Sequence, residues 1–197
     1  NGKASIELKP EVRKAGGVFY TPKYIVDYIV ENTVGKLIAD KKPKEIAKLT
    51  FADIACGSGS FLIGVFDYLL DYHKNYYNEH TDEAEKEGCK YDAEKGVWTM
   101  SINQKKQILI NNVYGVDIDL QATEVTQVSL FLKLLEDETM GTVAELNQLF
   151  VADKILPDLS NNIKCGNSLI GTEIMADVLD FGRDEMRKLN PFDFETA

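Results

Sequence analysis

Phe51-Ala52-Asp53-Ile54-Ala55-Cys56-Gly57-Ser58-Gly59-Ser60-Phe61-Leu62 is the stretch whose reading decides the fold. A short apolar run ends in a glycine-rich turn, and an apolar helical pattern begins at once. Leu49–Ile54 therefore reads as a strand, and Phe61, Leu62, Val65, Phe66, Leu69 and Leu70 as the buried face of a helix over 60–77. A strand, a tight turn and a helix N-terminus bring backbone N–H groups together on one ligand. Taken alone, Gly57-Ser58-Gly59 is more readily explained as a turn that glycine merely permits.

Working outward, Thr21-Pro22 gives a helix start, with Thr21 as the cap and Pro22 in the first helical position, for a helix over 22–39. The stretch 78–99 is acidic and irregular and reads as a solvated insertion, with Tyr91 and Trp98 available to pack it onto the body. Ser101 caps a helix to Ile110, and Val113–Asp117 is a second strand ending in an acid. A helix from Asp119 to Glu136 is expected to bury Val125, Val128, Leu132 and Leu135. A shorter apolar helix at 143–150, a third strand at Asn162–Cys165 and a last helix over 174–189, broken at Asn190-Pro191, complete the pattern. Helices alternating with strands imply an α/β fold with right-handed crossovers and a mainly parallel sheet covered on both faces.

The 197-residue chain carries 44% hydrophobic and 27% charged residues and has no run long enough to span a bilayer. Cys56, Cys89 and Cys165 form no C-x-x-C pair, and His73 and His80 are the only histidines, so no metal site and a reducing cytoplasmic setting are expected. A formal charge of −10 argues against strong nucleic-acid binding by this chain alone, since phosphate contacts need clustered Lys and Arg. The chain starts at Asn1 rather than methionine, so a longer parent polypeptide is expected.

Three nucleotide readings compete for the glycine turn. A phosphate-binding P-loop ends in Gly-Lys-Ser/Thr, whereas Gly64 precedes Val65 and Phe66. A dinucleotide fingerprint needs Gly or Ala where Leu62 stands, and an acid roughly 20 residues on, far short of Asp117. What remains is a cofactor with an adenosine but no phosphates, such as S-adenosylmethionine. Asp53, an acid ending an apolar strand beside the turn, suits an ammonium group.

Asp53–Leu62 resembles motif I of the N6-adenine DNA methyltransferases of restriction-modification systems, the type I and type IIG groups above all. Gly17-Val18-Phe19-Tyr20-Thr21-Pro22 resembles their motif X, Gly115-Val116-Asp117-Ile118-Asp119 motif II, and Lys164-Cys165-Gly166-Asn167-Ser168-Leu169 motif III. The ordered set spans about residues 16–171. The resemblance implies a Rossmann-like S-adenosylmethionine-dependent fold, with 1–16 a leader, 17–190 a partial methyltransferase domain holding the 78–99 insertion, and 191–197 a tail.

It also implies roles. Thr21 would hold the methionine end of S-adenosylmethionine and Asp53 its amino group, with the backbone of Cys56, Gly57 and Gly59 passing close to the methionine portion. Asp117 would accept from the ribose hydroxyls and Ile118 lie on the adenine face. Asn167 would meet the adenine edge, where many relatives carry Asp. Each residue has a plainer reading: Thr21 and Asp117 as helix caps, Ile118 as core, Cys56 as a small buried side chain.

The family's catalytic Asn/Asp-Pro-Pro-Tyr/Phe is absent. Asn190-Pro191-Phe192-Asp193 follows a charged helical stretch instead of an apolar strand, and lacks the second proline and final aromatic, so it is rejected as the catalytic loop. The expectation is thus the cofactor-binding half of an adenine-N6 methyltransferase, inactive by itself. Its DNA contacts, and any specificity or restriction partner, would lie elsewhere, and no membrane is involved. A non-catalytic cofactor-binding or assembly module, or a methyltransferase acting on protein or RNA, remains open.

Overall fold

A computed structural model of the chain describes residues 21–136, 158–171 and 189–194. Its centre is a three-stranded parallel sheet in the order β1 (Phe51–Asp53), β4 (Val113–Asp117), β5 (Ile163–Cys165). Phe51 aligns with Val113 and Asp53 with Gly115, while Gly115 aligns with Ile163 and Asp117 with Cys165. β1 is shorter than the Leu49–Ile54 run suggested, and β4 has the bounds read from the sequence.

The helices before and between these strands pack against one another. They are α1 (Lys23–Val30), α2 (Lys36–Ile38), α3 (Pro43–Ile46), α4 (Ser60–Glu79), α5 (Thr81–Lys86), α6 (Ile102–Asn112) and α7 (Leu120–Leu135). α4 touches α1, α6, α7, β1 and β4, and α7 touches β4 and β5, so one helical layer lies on the sheet. Phe66, Leu69, Leu109, Val113, Leu130 and Leu134 are fully buried between the two. No described helix is long and apolar enough to cross a membrane.

Several expectations need correction. Pro22, not Thr21, occupies the cap position of α1, and no side chain caps that helix. The expected single helix over 22–39 contains a π-helical turn, Glu31–Gly35. There Thr33 donates its hydroxyl to Ile29 O at 2.7 Å and Asn32 its amide to Tyr28 O at 2.8 Å, and such side-chain bonds disturb the regular ladder.

In α7 the inward face is not the one read from the sequence. Val125, Val128 and Leu132 are 48%, 56% and 65% exposed, and Leu135 is half-buried, while Ala122, Thr123, Thr126, Leu130 and Leu134 are buried. Apolar residues stand on more than one face of this helix, so apolar spacing alone did not select the inward one. The leader, the 143–150 helix and nearly all of the 174–189 helix lie outside the described residues.

The acidic stretch after α4 is ordered: α5 is followed by an antiparallel pair, β2 (Lys90–Asp92) and β3 (Val97–Thr99). Tyr77, Ala84 and Cys89 form its small core, with Trp98 packed against them and Tyr91 on Trp98 at 5.5 Å between ring centroids. Asn78 pairs with the Trp98 backbone like a neighbouring strand, accepting from its N–H at 2.8 Å and donating to its carbonyl at 3.0 Å.

Two buried asparagines tie the sheet to its connections. Asn112 donates to Ile46 O at 2.7 Å and Leu49 O at 2.6 Å, fixing the approach to β1. Asn162 donates to Ile110 O at 2.8 Å and Val113 O at 2.9 Å, fixing the approach to β5. Among the described residues no buried side-chain nitrogen or oxygen lacks a partner.

Two predictions follow from this packing. Asn112→Leu keeps the volume but removes both donors, and lowers unfolding free energy by about 2–3 kcal/mol, read as a fall in urea midpoint with unchanged slope. His73 is buried, its Nδ1 bonded to Leu69 O at 2.7 Å, and burial pushes its pKa below the usual imidazole value. The folded state therefore resists protonation while the unfolded chain takes up a proton below roughly pH 6.5. This contribution to stability is complete above that pH and is lost as the pH falls below it. Melting temperatures from pH 8 to 5 should decline less steeply in His73→Phe than in the parent.

Candidate functional site

The carboxyl ends of the three parallel strands converge, the place where open α/β sheets bind ligands. β1 ends at Asp53, β4 at Asp117 and β5 at Cys165. The turn after β5 folds back across this edge: Gly166 N–H donates to Asp117 O at 2.9 Å, and the Ser168 hydroxyl reaches Ile54 O at 2.6 Å. Asp53, Asp117 and Asn167 thus stand on one sheet edge.

The glycine turn is built by a few bonds. Cys56 N–H donates to Val116 O at 3.0 Å and carries the strand pairing one step beyond β1, and Gly59 N–H closes the turn on Cys56 O at 2.8 Å. Gly57 and Gly59 have φ of +53° and +85°, a region in which side chains are strained. A Cβ on Gly59 would stand 2.8 Å from Thr126 Cγ2, whereas one on Gly57 would meet nothing within 4 Å. Gly59 therefore seats the turn on α7, and Gly57 borders open space. No side chain caps the N-terminus of α4.

Asp117 is central. Its Oδ2 accepts from Gly57 N–H at 2.8 Å and its Oδ1 from Asp119 N–H at 2.9 Å. A carboxylate offers about four acceptor positions, so capacity for two hydroxyls remains. Asp119 accepts from Gln121 N–H at 2.9 Å and caps α7. Asp53 Oδ1 accepts from Ala55 N–H at 3.1 Å, leaving its other oxygen for a ligand.

Two carboxylates flank the turn, and one occupies the very N–H that a phosphate would use. The field suits a cation rather than an anion. The same field, behind the larger effect of burial, pushes the Cys56 thiol up to about 12, so it is a neutral packing side chain. Among the described residues no group of three or more His, Cys, Asp or Glu is gathered for a metal ion.

Other residues fall as follows. Ile118 is 58% exposed at the end of β4, free to lie against a ring. Asn167 is half-buried; its Oδ1 accepts from Leu169 N–H at 3.1 Å, and its N–H donates to Asn190 O at 2.6 Å. Thr21 lines a small cavity of about 190 Å³ with Ser60, Asp27 and Asp67, apart from Asp53. A larger concavity, about 540 Å³, runs beside β1 and touches only Asp53 of the candidate side chains and the neighbouring Ile54. The geometry, not that volume, marks the site.

Sequence reasoning missed two features here. Thr126, which donates to Gly57 O at 2.9 Å, was not singled out by the sequence. Asn190-Pro191-Phe192, dismissed as a catalytic loop, returns to this edge: Pro191 bridges Asn167, Phe192 lies across Gly166, and Phe192 N–H donates to Ile170 O at 2.9 Å. The glycine at 166, needed for that close approach, was the one available signal.

The family described as the MmeI DNA-methyltransferase domain matches residues 32–174. The chain is 35% identical over 176 residues to the type II restriction enzyme and methyltransferase RM.Eco57I of Escherichia coli, covering 89% of this chain and 16% of that protein. It is 25% identical over 223 residues to the putative type II restriction enzyme and methyltransferase RM.MjaORFECS2P of Methanocaldococcus jannaschii, covering 86% and 17%. It is 24% identical over 165 residues to the adenine-specific methyltransferase PglX of Lacticaseibacillus casei, covering 65% and 12%. The chain thus spans only a small part of the length of the curated relatives it matches.

Burial of Cys56 gives a direct check. In the native protein iodoacetamide at pH 8 should modify Cys165 while Cys56 reacts only after unfolding, as mapped by peptide mass spectrometry. Rapid native labelling of Cys56 would contradict the packed turn.

Proposed function

The chain belongs to the family of the MmeI DNA-methyltransferase domain, and from that premise we propose that it is the donor-binding part of a restriction-modification methyltransferase that methylates adenine at N6. The observation that carries the reading is the Asp117–Gly57 bond, which sets a strand-terminal carboxylate against a glycine turn with open space above it. S-adenosylmethionine fits this donor set: it is cationic, has two ribose hydroxyls for an acid, and has no phosphates to clash with Asp53 and Asp117. Residues 17–190 are read as the partial domain that holds it, with 78–99 as an insertion.

When bound, S-adenosylmethionine supplies an electrophilic methyl group on a sulfonium. The residues of this chain bind and orient. Asp117 accepts from the ribose hydroxyls through its unused lone pairs, and Asp53 holds the amino group. The backbone of Cys56, Gly57 and Gly59 lies along the methionine portion, Ile118 covers one adenine face, and Asn167 offers its amide to the adenine edge. Thr21 at the methionine end is the weakest of these assignments, because its cavity is separate and the segment before it is outside the described residues. Taking up a target base from duplex DNA requires flipping it out of the stack, and the groups that receive it are assigned to parts of the protein beyond this chain. Adenine as the target is supported by the motif resemblance and by the printed name of the PglX relative.

Two measurements test the reading. The full-length protein, given S-adenosylmethionine labelled in the methyl group and duplex DNA, should yield N6-methyladenine on digestion to nucleosides; label in cytosine, protein or RNA instead would contradict the assignment. Titration with S-adenosylhomocysteine should show at least about tenfold weaker binding in Asp117→Ala, since charge-assisted hydrogen bonds are lost. Equal affinity would remove Asp117 from the ribose site.

A further inference from the structure

Thr126 is the least accessible polar side chain near the turn, with relative exposure of 0%. It lies mid-way along α7 on the buried face, beside Ala122 and Leu130, where a valine would fill the same volume without a hydroxyl to satisfy. Threonines in helices usually bond back to a carbonyl of the preceding turn. Thr123 does so, donating to Leu120 O at 2.8 Å, and Thr33 does so to Ile29 O at 2.7 Å. Thr126 instead leaves its own helix and donates to Gly57 O at 2.9 Å.

Gly57 is consequently held from outside on both sides. Its N–H goes to Asp117 Oδ2 and its carbonyl receives the Thr126 hydroxyl. Because a trans peptide group is planar, turning the Gly57 carbonyl toward α7 turns the Ser58 N–H the opposite way. Among the described residues no acceptor takes that N–H. The methyl of Thr126 abuts Gly59, so the same side chain also sets how far the turn can settle onto the helix.

We propose that Thr126 is a positioning residue of the cofactor site: its hydroxyl orients the Gly57–Ser58 peptide so that the Ser58 N–H is presented to an acceptor oxygen of the bound S-adenosyl ligand. This rests on the reading of the turn as an S-adenosylmethionine site. Thr126 does not touch the ligand; it acts through the backbone of the turn. Asp117, which anchors the other side of Gly57, then has a partner in the same task.

The test compares Thr126→Ser with Thr126→Ala in the full-length protein. The two differ only in the hydroxyl, since both lose the methyl. Calorimetric titration with S-adenosylhomocysteine should give Thr126→Ser an affinity within about threefold of the parent, and Thr126→Ala about five- to tenfold weaker than Thr126→Ser. A purely structural role would lower the number of competent sites without changing the affinity of those that remain. Thr126→Val, which keeps the volume and lacks the hydroxyl, should match Thr126→Ala, and replaces it in the comparison if the smaller side chain prevents folding. Equal affinities for Ser, Ala and Val would overturn the proposal while leaving the cofactor reading intact, and so would equal weakening of all three. Absence of binding by the parent protein would overturn both.

Discussion

The hydrogen bond from Gly57 N–H to Asp117 Oδ2, 2.8 Å long, is the constraint on which the rest of the site depends. It joins the turn after β1 to the end of β4, the central strand of the sheet. Without it the carboxylate would be held only by the Asp119 N–H, and the turn beyond Cys56 would lose its bond to the end of β4. With it, Asp117 is held at the strand end, with lone pairs left for a ligand. A preorganised acceptor loses less on binding than one that must first be ordered.

The supporting structure serves this one edge. Asn112 and Asn162 each bridge two backbone carbonyls with one amide group and so fix how the chain enters β1 and β5. Ser168 and Gly166 bring the turn after β5 back across Asp117. The acidic surface is compatible with this role. With Asp53 and Asp117 beside the turn, the edge favours a cationic small molecule, and an acidic balance does not supply the clustered Lys and Arg that phosphate contacts need.

Much of this was legible in the sequence because the signals were local. The glycine turn, the bounds of β4 and the Ser101 cap of α6, with Gln104 completing a capping box, each follow from a few adjacent residues. What was not legible depended on partners far along the chain. Thr126 is buried on the face that also carries Ala122, Thr123, Leu130 and Leu134 and finds its partner in Gly57 O, 69 residues away in sequence, while Val125, Val128 and Leu132 face out. The π-helical turn in the first helix carries Thr33 and Asn32 bonding backward to the preceding turn, a feature that hydrophobic spacing does not encode. Asn190–Phe192 was judged only as a catalytic candidate, and its actual place beside Asn167 came from the tertiary fold.

The most direct measurement of the central claim is a crystal structure of the full-length protein with S-adenosylhomocysteine. The account predicts the ribose hydroxyls within hydrogen-bond distance of Asp117 while the Gly57 N–H bond to the same carboxylate persists, with the amino-acid portion lying along Cys56–Gly59. A ligand seated in the groove beside β1 with Asp117 unengaged, or a ribose bound only after the Asp117–Gly57 bond has opened, would contradict it.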